Sequence, residues 1–397
     1  MTLTSLYIHV PFCVHRCGYC DFNTYAGLDK IIPEYIQAVC NELEYLSSSS
    51  STPIPIHTVY FGGGTPSLIP PTGIEKIIRT VRDLYKVSLD PEITLEANPG
   101  TLSADHLAAL GEVGVNRLSL GMQSSDPNEL ALLERKHTYE DVVKAVEWAK
   151  AARITNVNLD LIFGLPNQEL NHWMASVDAA IGLHPEHLSL YALTLEHGTP
   201  LKHKVESGNL AEPDSDLAAD MYEAARDTVG RGGFRHYEIS NWARENDRGE
   251  FFACRHNLQY WRTLPYIGVG AGAHGFVNGY RTENVAHPEA YIKRFRDHSR
   301  MNDKPLLFPG TPGTIQISQI DQSTEIGEFM MMGLRLVEEG ISNQVFYQRY
   351  DISLIRKFNR QIDRLIGLKL LEWRGTDQLC LTIKGQLLGN QVFQEFI

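Results

Sequence analysis

The feature that most constrains the fold is a regular alternation of short strand-like and longer helix-like segments over the first 240 residues. The strand-like segments are residues 6–10, 57–61, 92–97, 117–121, 156–163 and 187–193, with a further candidate at 235–240. The segments with helical spacing are residues 33–46, 72–86, 103–113, 139–152, 171–182 and 214–231. Such alternation is typical of a parallel sheet. Because six or seven units are fewer than the eight of a closed barrel, we predict an α/β fold with a partial (β/α) barrel of the six-unit type.

A change of pattern after about residue 245 predicts a second, smaller domain. The segment HNLQYW (256–261) comes first, and a glycine-rich stretch (266–280) and a mostly helical tail follow it. Residues 325–373 have the pattern of paired helices that end in a short strand such as LCLTI. We therefore predict a barrel domain over residues 1–245 and a mostly helical C-terminal domain over residues 246–397, beginning with the HNLQYW segment.

The charge balance limits the partners that the whole surface can bind. The 397 residues carry 36 basic and 48 acidic side chains, a formal net charge of −12. This balance argues against a protein that coats nucleic acid, so we expect no nucleic-acid partner, although a local basic patch stays compatible with it. No apolar run reaches the roughly 18 residues of a membrane span, and the first residues lack the features of a signal peptide. We expect a cytoplasmic protein, with peripheral docking on a membrane left open.

Three of the six cysteines are clustered, which indicates a metal or cluster site in a cytoplasmic chain. Cys13, Cys17 and Cys20 are separated by three and then two residues. Three thiolates can hold three irons of a [4Fe–4S] cluster and leave the fourth iron open to another ligand. The alternative is a zinc site completed by His9 or His15. The tight triplet favours the cluster, since structural zinc sites usually combine two separate pairs of ligands.

Further polar or flexible residues follow the other predicted strands. In parallel (β/α) folds, functional groups gather at the C-terminal ends of the strands. The loop GGGTP (62–66) follows the second strand, and its glycines let the backbone approach a ligand closely through exposed N–H groups. The side chains in question are Glu96, Gln123, Arg135 and Asp160. Taken singly, the loop could be a tight turn and each side chain a surface or capping residue, so their shared placement carries the argument.

The motifs as a set resemble a known superfamily. The spacing Cys13-x3-Cys17-x2-Cys20, with Tyr19 before the last cysteine, resembles the signature of radical S-adenosylmethionine (SAM) proteins. The segments LYIHVPFC, YFGGGTPS, SLGMQSS, NLDLIFGLP and HYEISNWA resemble the branch that contains oxygen-independent coproporphyrinogen III oxidases and HemW-type heme chaperones. The resemblance extends from the first strand past residue 280. It implies a [4Fe–4S] cluster whose open iron is chelated by SAM.

The resemblance also assigns roles to single residues. It implies that Tyr7 and Tyr19 line the adenosyl region. It implies that Gly63, Gly64 and Thr65 contact the methionine end of SAM. By the same resemblance, the remaining members of this pocket or its surroundings are Glu96, Gln123, Arg135 and Asp160.

Three features favour the chaperone over the oxidase within this branch. The oxidase usually carries a further cysteine where this chain has Phe22, and a long segment ahead of the cluster, where this chain has twelve residues before Cys13. The segment HNLQYW resembles the HNxxYW motif associated with heme binding in the chaperones. We expect a heme chaperone that delivers heme to an acceptor protein, respiratory and membrane-associated. The oxidative decarboxylation of coproporphyrinogen III is the alternative, and radical chemistry on another substrate is a third.

The heme interpretation centres on His256, Tyr260 and Trp261. Imidazole is a common axial ligand of heme iron, and the two aromatic rings could pack against a porphyrin. The alternative is a hydrogen-bonded internal histidine beside two core aromatic residues. Cys254 is a rival thiolate ligand, whereas His274 is expected to be a turn or pocket residue. The acceptor, the electron donor and the oligomeric state, a homodimer included, stay open.

Overall fold

A computed structural model describes residues 3–298 and 306–397. The chain forms two compact units. Unit 1 comprises residues up to Val229 together with Pro265–Gln319, and unit 2 comprises Gly230–Leu264 together with Ile320–Ile397. The limits of these units differ from the boundary that the sequence predicts near residue 245. Residues 265–319 join unit 1 because residues 266–269 pair with the first strand of the barrel. Compact units need not be domains, so the predicted domain boundary near residue 245 stays a prediction.

The strands of both units are short, as their apolar runs predict. In chain order they are β1 (Thr4–Val10), β2 (Phe12–Cys13), β3 (Tyr25–Ala26), β4 (Pro55–Gly63), β5 (Lys86–Ala97), β6 (Arg117–Gln123), β7 (Asn156–Phe163), β8 (His187–Ala192), β9 (Arg235–Glu238), β10 (Asn241–Ala243), β11 (Tyr266–Val269), β12 (His274–Val277), β13 (Tyr280–Asn284), β14 (Thr314–Gln319), β15 (Ile341–Ser342), β16 (Leu371–Arg374) and β17 (Gln378–Leu381). All seven predicted strands are present, and all bounds agree within about two residues except the start of β5, which lies at Lys86 and not at residue 92.

The helices connect these strands. In chain order they are α1 (Ile32–Ser49), α2 (Pro71–Leu84), α3 (Ala104–Glu112), α4 (Pro127–Leu132), α5 (Tyr139–Ala151), α6 (Leu170–Gly182), α7 (Pro200–Glu206), α8 (Ser215–Arg231), α9 (Arg255–Trp261), α10 (Pro288–His298), α11 (Gln322–Gly333), α12 (Asn343–Tyr350), α13 (Leu354–Gly367), α14 (Ile383–Leu387) and α15 (Gly389–Phe393). Local signals set several of the ends. Thr138, for example, forms a capping box with Asp141 at the start of α5. The six predicted helices are confirmed.

The sheet of unit 1 confirms the partial barrel. Strands β1, β4, β5, β6, β7 and β8 are parallel neighbours in that order. Strand β11 lies parallel to β1 on its other side, and β12, β13 and β14 continue the sheet in antiparallel pairs. The glycine-rich stretch 266–280 thus forms strands that its composition did not predict. A Cβ on Gly268 would lie 2.0 Å from the carbonyl oxygen of His274, so the close pairing there requires glycine.

The two faces of the parallel strands differ in polarity. One face carries Tyr7, His9, Tyr60, Thr94, Glu96, Arg117, Ser119, Asn158, Asp160, His187 and Ser189. The other face carries Leu6, Ile8, Val59, Phe61, Ile93, Leu95, Leu118, Leu120, Val157, Leu159, Leu188 and Leu190, all buried. On this apolar face, Phe163 contacts the ring of Trp173 in α6. Parallel strands are usually apolar on both faces, so this polar face is unusual and its buried groups need hydrogen-bond partners.

A buried carboxylate joins α1 to the strands beyond β11. Glu42 is fully buried and accepts four hydrogen bonds, from the backbone N–H of Gly270 (2.8 Å), the amide of Asn284 (2.9 Å), the hydroxyl of Tyr291 (2.6 Å) and the hydroxyl of Thr311 (2.7 Å). Burial raises the pKa of Glu42, and the four donors oppose that shift. The carboxylate therefore fixes the second half of unit 1 against the first half.

Unit 2 has its own apolar core. Helices α11, α12 and α13 and the small antiparallel sheet β15-β17-β16 bury Phe329, Phe346, Phe358 and Leu379 in one cluster. The predicted mostly helical C-terminal part is confirmed, and the segment LCLTI contains β17. Strands β9 and β10 of this unit pair in antiparallel orientation. Among the residues that the structure describes, no helix combines the length and the apolar character of a membrane span.

The Glu42→Ala variant should lose much of the stability of unit 1. The substitution leaves four buried donors without an acceptor, and each unsatisfied donor costs about 1–3 kcal/mol. We expect the free energy of unfolding, measured by urea denaturation, to fall by at least ~3 kcal/mol. Glu44→Ala, an exposed position on the same helix, is the matched control and should change little. Equal stability of the two variants would contradict the role given to Glu42.

Candidate functional site

The three clustered cysteines lie in a loop that leaves β1 at the C-terminal end of the parallel sheet. Cys13 is buried at the end of β2, and Cys17 and Cys20 are partly exposed. The Sγ of Cys13 accepts a hydrogen bond from Oγ1 of Thr65 (3.6 Å), and the Sγ of Cys17 accepts one from Nη1 of Arg135 (3.5 Å). Burial raises the pKa of the Cys13 thiol, and the Thr65 hydrogen bond opposes the shift. The sulfurs thus lie beside hydrogen-bond donors suited to thiolates.

Asn23 fixes the cysteine loop to a distant part of unit 1. Its side-chain amide donates to the carbonyl oxygens of Ala271 (3.2 Å) and Ala286 (2.9 Å). Its backbone carbonyl accepts from Nε2 of His9 (2.9 Å). Nδ1 of His9 must then be the acceptor of the Tyr7 hydroxyl at 2.9 Å. This role of Asn23 could not be predicted from the sequence, because the partners of its side chain lie about 250 residues away.

The histidines near the cysteines are engaged elsewhere. Both ring nitrogens of His9 form hydrogen bonds, and burial lowers its pKa, which favours the neutral ring. Nε2 of His15 lies 3.5 Å from Oε2 of Glu134. Over residues 3–298 and 306–397, no three His, Cys, Asp or Glu side chains are arranged around a single metal ion. The hydrogen bonds of His9 therefore weigh against its use as a zinc ligand, and the zinc alternative with His15 stays open.

The GGGTP loop packs directly on the cysteine loop. The backbone N–H groups of Gly64 and Thr65 donate to the carbonyl oxygens of Val10 and Phe12, both at 2.8 Å, and that of Gly63 donates to Oε2 of Glu96 (3.0 Å). Contrary to the expectation of exposed N–H groups, all three are used inside the protein. A Cβ on Gly64 would lie 2.5 Å from the Phe12 carbonyl oxygen, so glycine is needed for this approach.

Glu96 connects this loop to the polar face of the sheet. Besides the N–H of Gly63, it accepts a hydrogen bond from the Tyr60 hydroxyl at 2.7 Å. Burial raises the pKa of Glu96 to about 7, the Tyr60 hydrogen bond opposes the shift, and the charge of Asp160 adds to it. Tyr60 in turn stacks on Tyr7, with ring centroids 6.2 Å apart. The carboxyl group can therefore change its protonation state near neutral pH.

Arg135 lies between the cysteine loop and β6. Its Nη2 donates to the Gly121 carbonyl oxygen (2.9 Å), and its buried Nε has no acceptor among the described residues. A Cβ on Gly121 would lie 2.7 Å from Nε2 of Gln123 and 2.9 Å from Nη2 of Arg135, so the glycine makes room for both side chains. Gln123 has a positive φ of 65° at a register shift between β6 and β7. Tyr19 packs against Leu133 and its neighbours.

Asp160 ends a polar network that runs across β6, β7 and β8. It accepts hydrogen bonds from the Ser119 hydroxyl (3.1 Å) and from the Asn158 amide (2.8 Å). The side-chain oxygen Oδ1 of Asn158 accepts from Nδ1 of His187 (2.6 Å) and from the Ser189 hydroxyl (3.1 Å). Burial raises the pKa of Asp160, and the hydrogen bonds oppose the shift. Asp160 was predicted from the sequence but its partners were not, although polar residues at every second position of these strands were the available signal.

The HNLQYW segment forms α9 in unit 2. His256 and Tyr260 lie on one helix face as their spacing predicts, with 2.8 Å between Nε2 and the hydroxyl and with perpendicular rings. His256 is only 1% exposed. The guanidinium of Arg335 lies 4.5 Å from the ring centroid of Trp261. Cys254 is fully buried as the N-cap residue of α9. This geometry matches the alternative of an internal hydrogen-bonded histidine, and heme contact stays a prediction.

Comparison with known proteins places the chain in a family. The model of the Radical SAM superfamily matches residues 7–180, and that of the HemN C-terminal domain matches residues 320–388. The protein named heme chaperone HemW of Mycobacterium tuberculosis (strain ATCC 25618 / H37Rv) is 37% identical over 99% of this chain and 94% of its own length. The chain belongs to the HemW family of radical SAM proteins. HemW of Bacillus subtilis (strain 168) is 35% identical over 100% of this chain and 99% of its own length.

A solved structure shares the fold of this HemW family member. It is coproporphyrinogen III oxidase (HemN) from Escherichia coli, described as a radical SAM enzyme, with a TM-score of 0.81. The two sequences are 19% identical, and the match covers 100% of this chain and 90% of the oxidase. At this identity the likeness concerns the fold alone. The resemblance that the motifs indicate is confirmed.

The Glu96→Gln variant should change how stability depends on pH. The pKa of the Glu96 carboxyl is about 7 in the folded protein and about 4.5 in the unfolded chain, so the folded protein binds more protons between these pH values. The wild type should therefore lose ~3 kcal/mol of stability, relative to the variant, as pH rises from about 4.5 to about 7. Urea denaturation across this pH range measures the difference. Parallel pH profiles of the two proteins would contradict the raised pKa.

The Asn23→Ala variant should release the cysteine loop. It removes two hydrogen bonds worth about 1 kcal/mol each, so local opening should become ~30-fold more frequent. The backbone N–H of Tyr25, which donates to the Pro11 carbonyl oxygen at 2.7 Å, reports that opening through hydrogen exchange. Asn41→Ala is the matched control, because the side chain of Asn41 bonds to Gln37 within α1. Unchanged exchange at Tyr25 in Asn23→Ala would show that the loop is held by other contacts.

Proposed function

We propose that this protein is a heme chaperone on a radical SAM scaffold, which binds heme and delivers it to an acceptor protein. The observation that carries the proposal is similarity over almost the whole chain, at 35–37% identity, to proteins that are named heme chaperone HemW. The expected acceptor is a respiratory protein associated with a membrane.

The cysteine loop fits a [4Fe–4S] cluster held by Cys13, Cys17 and Cys20. The Thr65 hydroxyl and the Arg135 guanidinium lie within hydrogen-bond distance of two of the sulfurs. Donors of this kind stabilise thiolate charge and tune the cluster that thiolates hold. Three protein ligands leave one iron open to a further ligand. When bound, the cluster and SAM supply one-electron chemistry.

The residues around the cysteine loop fit SAM as that ligand. The buried Nε of Arg135 lacks an acceptor, which suits the carboxylate of an amino-acid moiety. A Cβ on Gly64 would also lie 3.1 Å from the Sγ of Cys13, so this glycine lets the GGGTP loop approach the cysteine closely. Tyr7 and Tyr19 would line the adenosyl region. The GGGTP loop (62–66) would meet the methionine end, and the polar members of the pocket would be Glu96, Gln123 and Asp160.

The heme would be bound at the HNLQYW segment, with His256 as the axial ligand and Tyr260 and Trp261 beside the porphyrin. Nε2 of His256 already bonds to the Tyr260 hydroxyl, and the side chain is almost fully buried. For His256 to bind heme iron through Nε2, its hydrogen bond to the Tyr260 hydroxyl must therefore break. The indole N–H of Trp261 is buried without an acceptor among the described residues, which leaves a donor for a polar group of the ligand.

An anaerobic heme titration of cluster-reconstituted protein tests the proposal. We expect a saturable one-site shift of the Soret band that is lost in His256→Ala. His172→Ala, an exposed position on α6, is the matched control and should bind as the wild type does. Tyr260→Phe keeps the ring but frees His256 from its hydroxyl partner, so it should bind heme at least as tightly. Circular dichroism of each variant separates lost binding from lost folding.

Two results would contradict the proposal. A Soret shift that does not saturate, or that persists unchanged in folded His256→Ala, would remove the heme site from the HNLQYW segment. Formation of protoporphyrinogen IX from coproporphyrinogen III, under reducing conditions with SAM, would establish the oxidase instead.

A further inference from the structure

Residues 322–381 of unit 2 have the architecture of a winged helix-turn-helix. The elements follow in the order α11, β15, α12, α13, β16, β17, and the antiparallel sheet has the order β15-β17-β16. Helices α12 and α13 are separated by three residues, 351–353. Asp351 turns the chain with a positive φ of 54°, and the Ser353 side chain caps α13. Two helices joined by a turn of this length form the helix-turn-helix motif.

The second helix of this motif presents an arginine stripe to solvent. Its buried side is formed by Leu354, Phe358, Ile362 and Leu365. The opposite side carries Arg356, Arg360 and Arg364 at intervals of four residues, with Lys357 beside them, and all four are exposed. Residues four apart lie on one face of a helix. The backbone departs from helical geometry at Phe358 (φ −125°, ψ 24°), so the spacing aligns Arg360 with Arg364, while Arg356 and Lys357 precede this kink.

The charges of the stripe are mostly unpaired. The side chains of Arg356, Lys357 and Arg360 form no ion pair or hydrogen bond within residues 3–298 and 306–397. Arg364 pairs with Glu395. Like charges four residues apart on a helix repel each other, so the stripe does not serve the stability of α13. The exposed Asp363 lies on the same side and lowers the local positive charge, but the three unpaired basic groups still suit a negatively charged partner.

We propose that α13 binds duplex nucleic acid through this stripe, a binding function beyond the proposed heme chaperone. In helix-turn-helix proteins the second helix lies in the major groove, which is about 12 Å wide and admits one helix. The net charge of −12 argues against coating of nucleic acid by the whole surface, but a single basic helix is compatible with it.

The wing adds little to this surface. Arg374 in β16 bonds to Glu372 (2.9 Å) and to the carbonyl oxygen of Val337 (2.6 Å), so its charge is already engaged. Contact through α13 alone predicts modest affinity that depends strongly on salt, since release of counterions from the phosphates drives such binding.

Fluorescence anisotropy of the full-length protein with a labelled duplex DNA of ~20 bp, in ~50 mM salt, tests the proposal. We expect saturable binding that Arg356→Gln with Arg360→Gln weakens at least ~10-fold. Two fewer phosphate contacts should also reduce the slope of log affinity against log salt by about 2. Arg79→Gln with Arg82→Gln, which makes the same charge change on exposed α2 positions, is the matched control and should bind within ~3-fold of the wild type.

Three outcomes would overturn the proposal. The first is no saturable binding of the duplex, and the second is equal binding by the stripe variant and the wild type. The third is binding only to vesicles that contain phosphatidylglycerol, lost in the stripe variant, which would assign the stripe to a membrane surface. Thermal denaturation of both double variants shows whether unit 2 stays folded. None of these results depends on heme, so failure here leaves the proposed chaperone untouched.

Discussion

The polar face of the parallel sheet is the constraint on which the rest of unit 1 depends. A buried polar group that lacks a partner costs more than a hydrogen bond gains, so every strand must enter in a register that pairs these groups. Ser119 lies opposite Asn158, and Asn158 lies opposite His187, which allows the network that ends at Asp160. If the register of one strand shifted by one residue, its apolar side chains would point to the polar face and its polar side chains to the apolar face. The same pairing gathers the candidate ligand-binding groups at one end of the sheet.

Local patterns were enough to predict the six parallel strands and the six long helices of the barrel, because each of these carries its own periodicity, but the short elements β2, β3, α4 and α7 were not predicted. They failed for residues 266–280, where glycines interrupt the alternation and β11 becomes a strand through pairing with β1. They also failed for the N–H groups of the GGGTP loop, whose acceptors Val10 and Phe12 belong to a different strand end. Such partners are set by the tertiary fold, and no short window of sequence contains them.

The candidate site shows the same division. Cysteine spacing indicated the loop of Cys13, Cys17 and Cys20, and helical spacing indicated that His256 and Tyr260 share a face. The burial of His256 could not be predicted, since a short helix with a polar motif fits an exposed and a buried position equally well. The basic residues of α13 are visible in the sequence, but only the structure shows that α13 is the second helix of a helix-turn-helix. Residue type predicts chemistry well and accessibility poorly.

The anchoring of Asn23 has a consequence for the order of events during biosynthesis. Its side chain completes its hydrogen bonds only with the carbonyl groups of Ala271 and Ala286. A ribosome that adds ~5–20 residues per second exposes the three thiols well before residue 286 has emerged. During that interval the thiols lie on a loop without its final support. The loop of Cys13, Cys17 and Cys20 therefore reaches its supported form only after unit 1 is complete, and the cluster proposed for these thiols would meet a fully held loop only from that stage on.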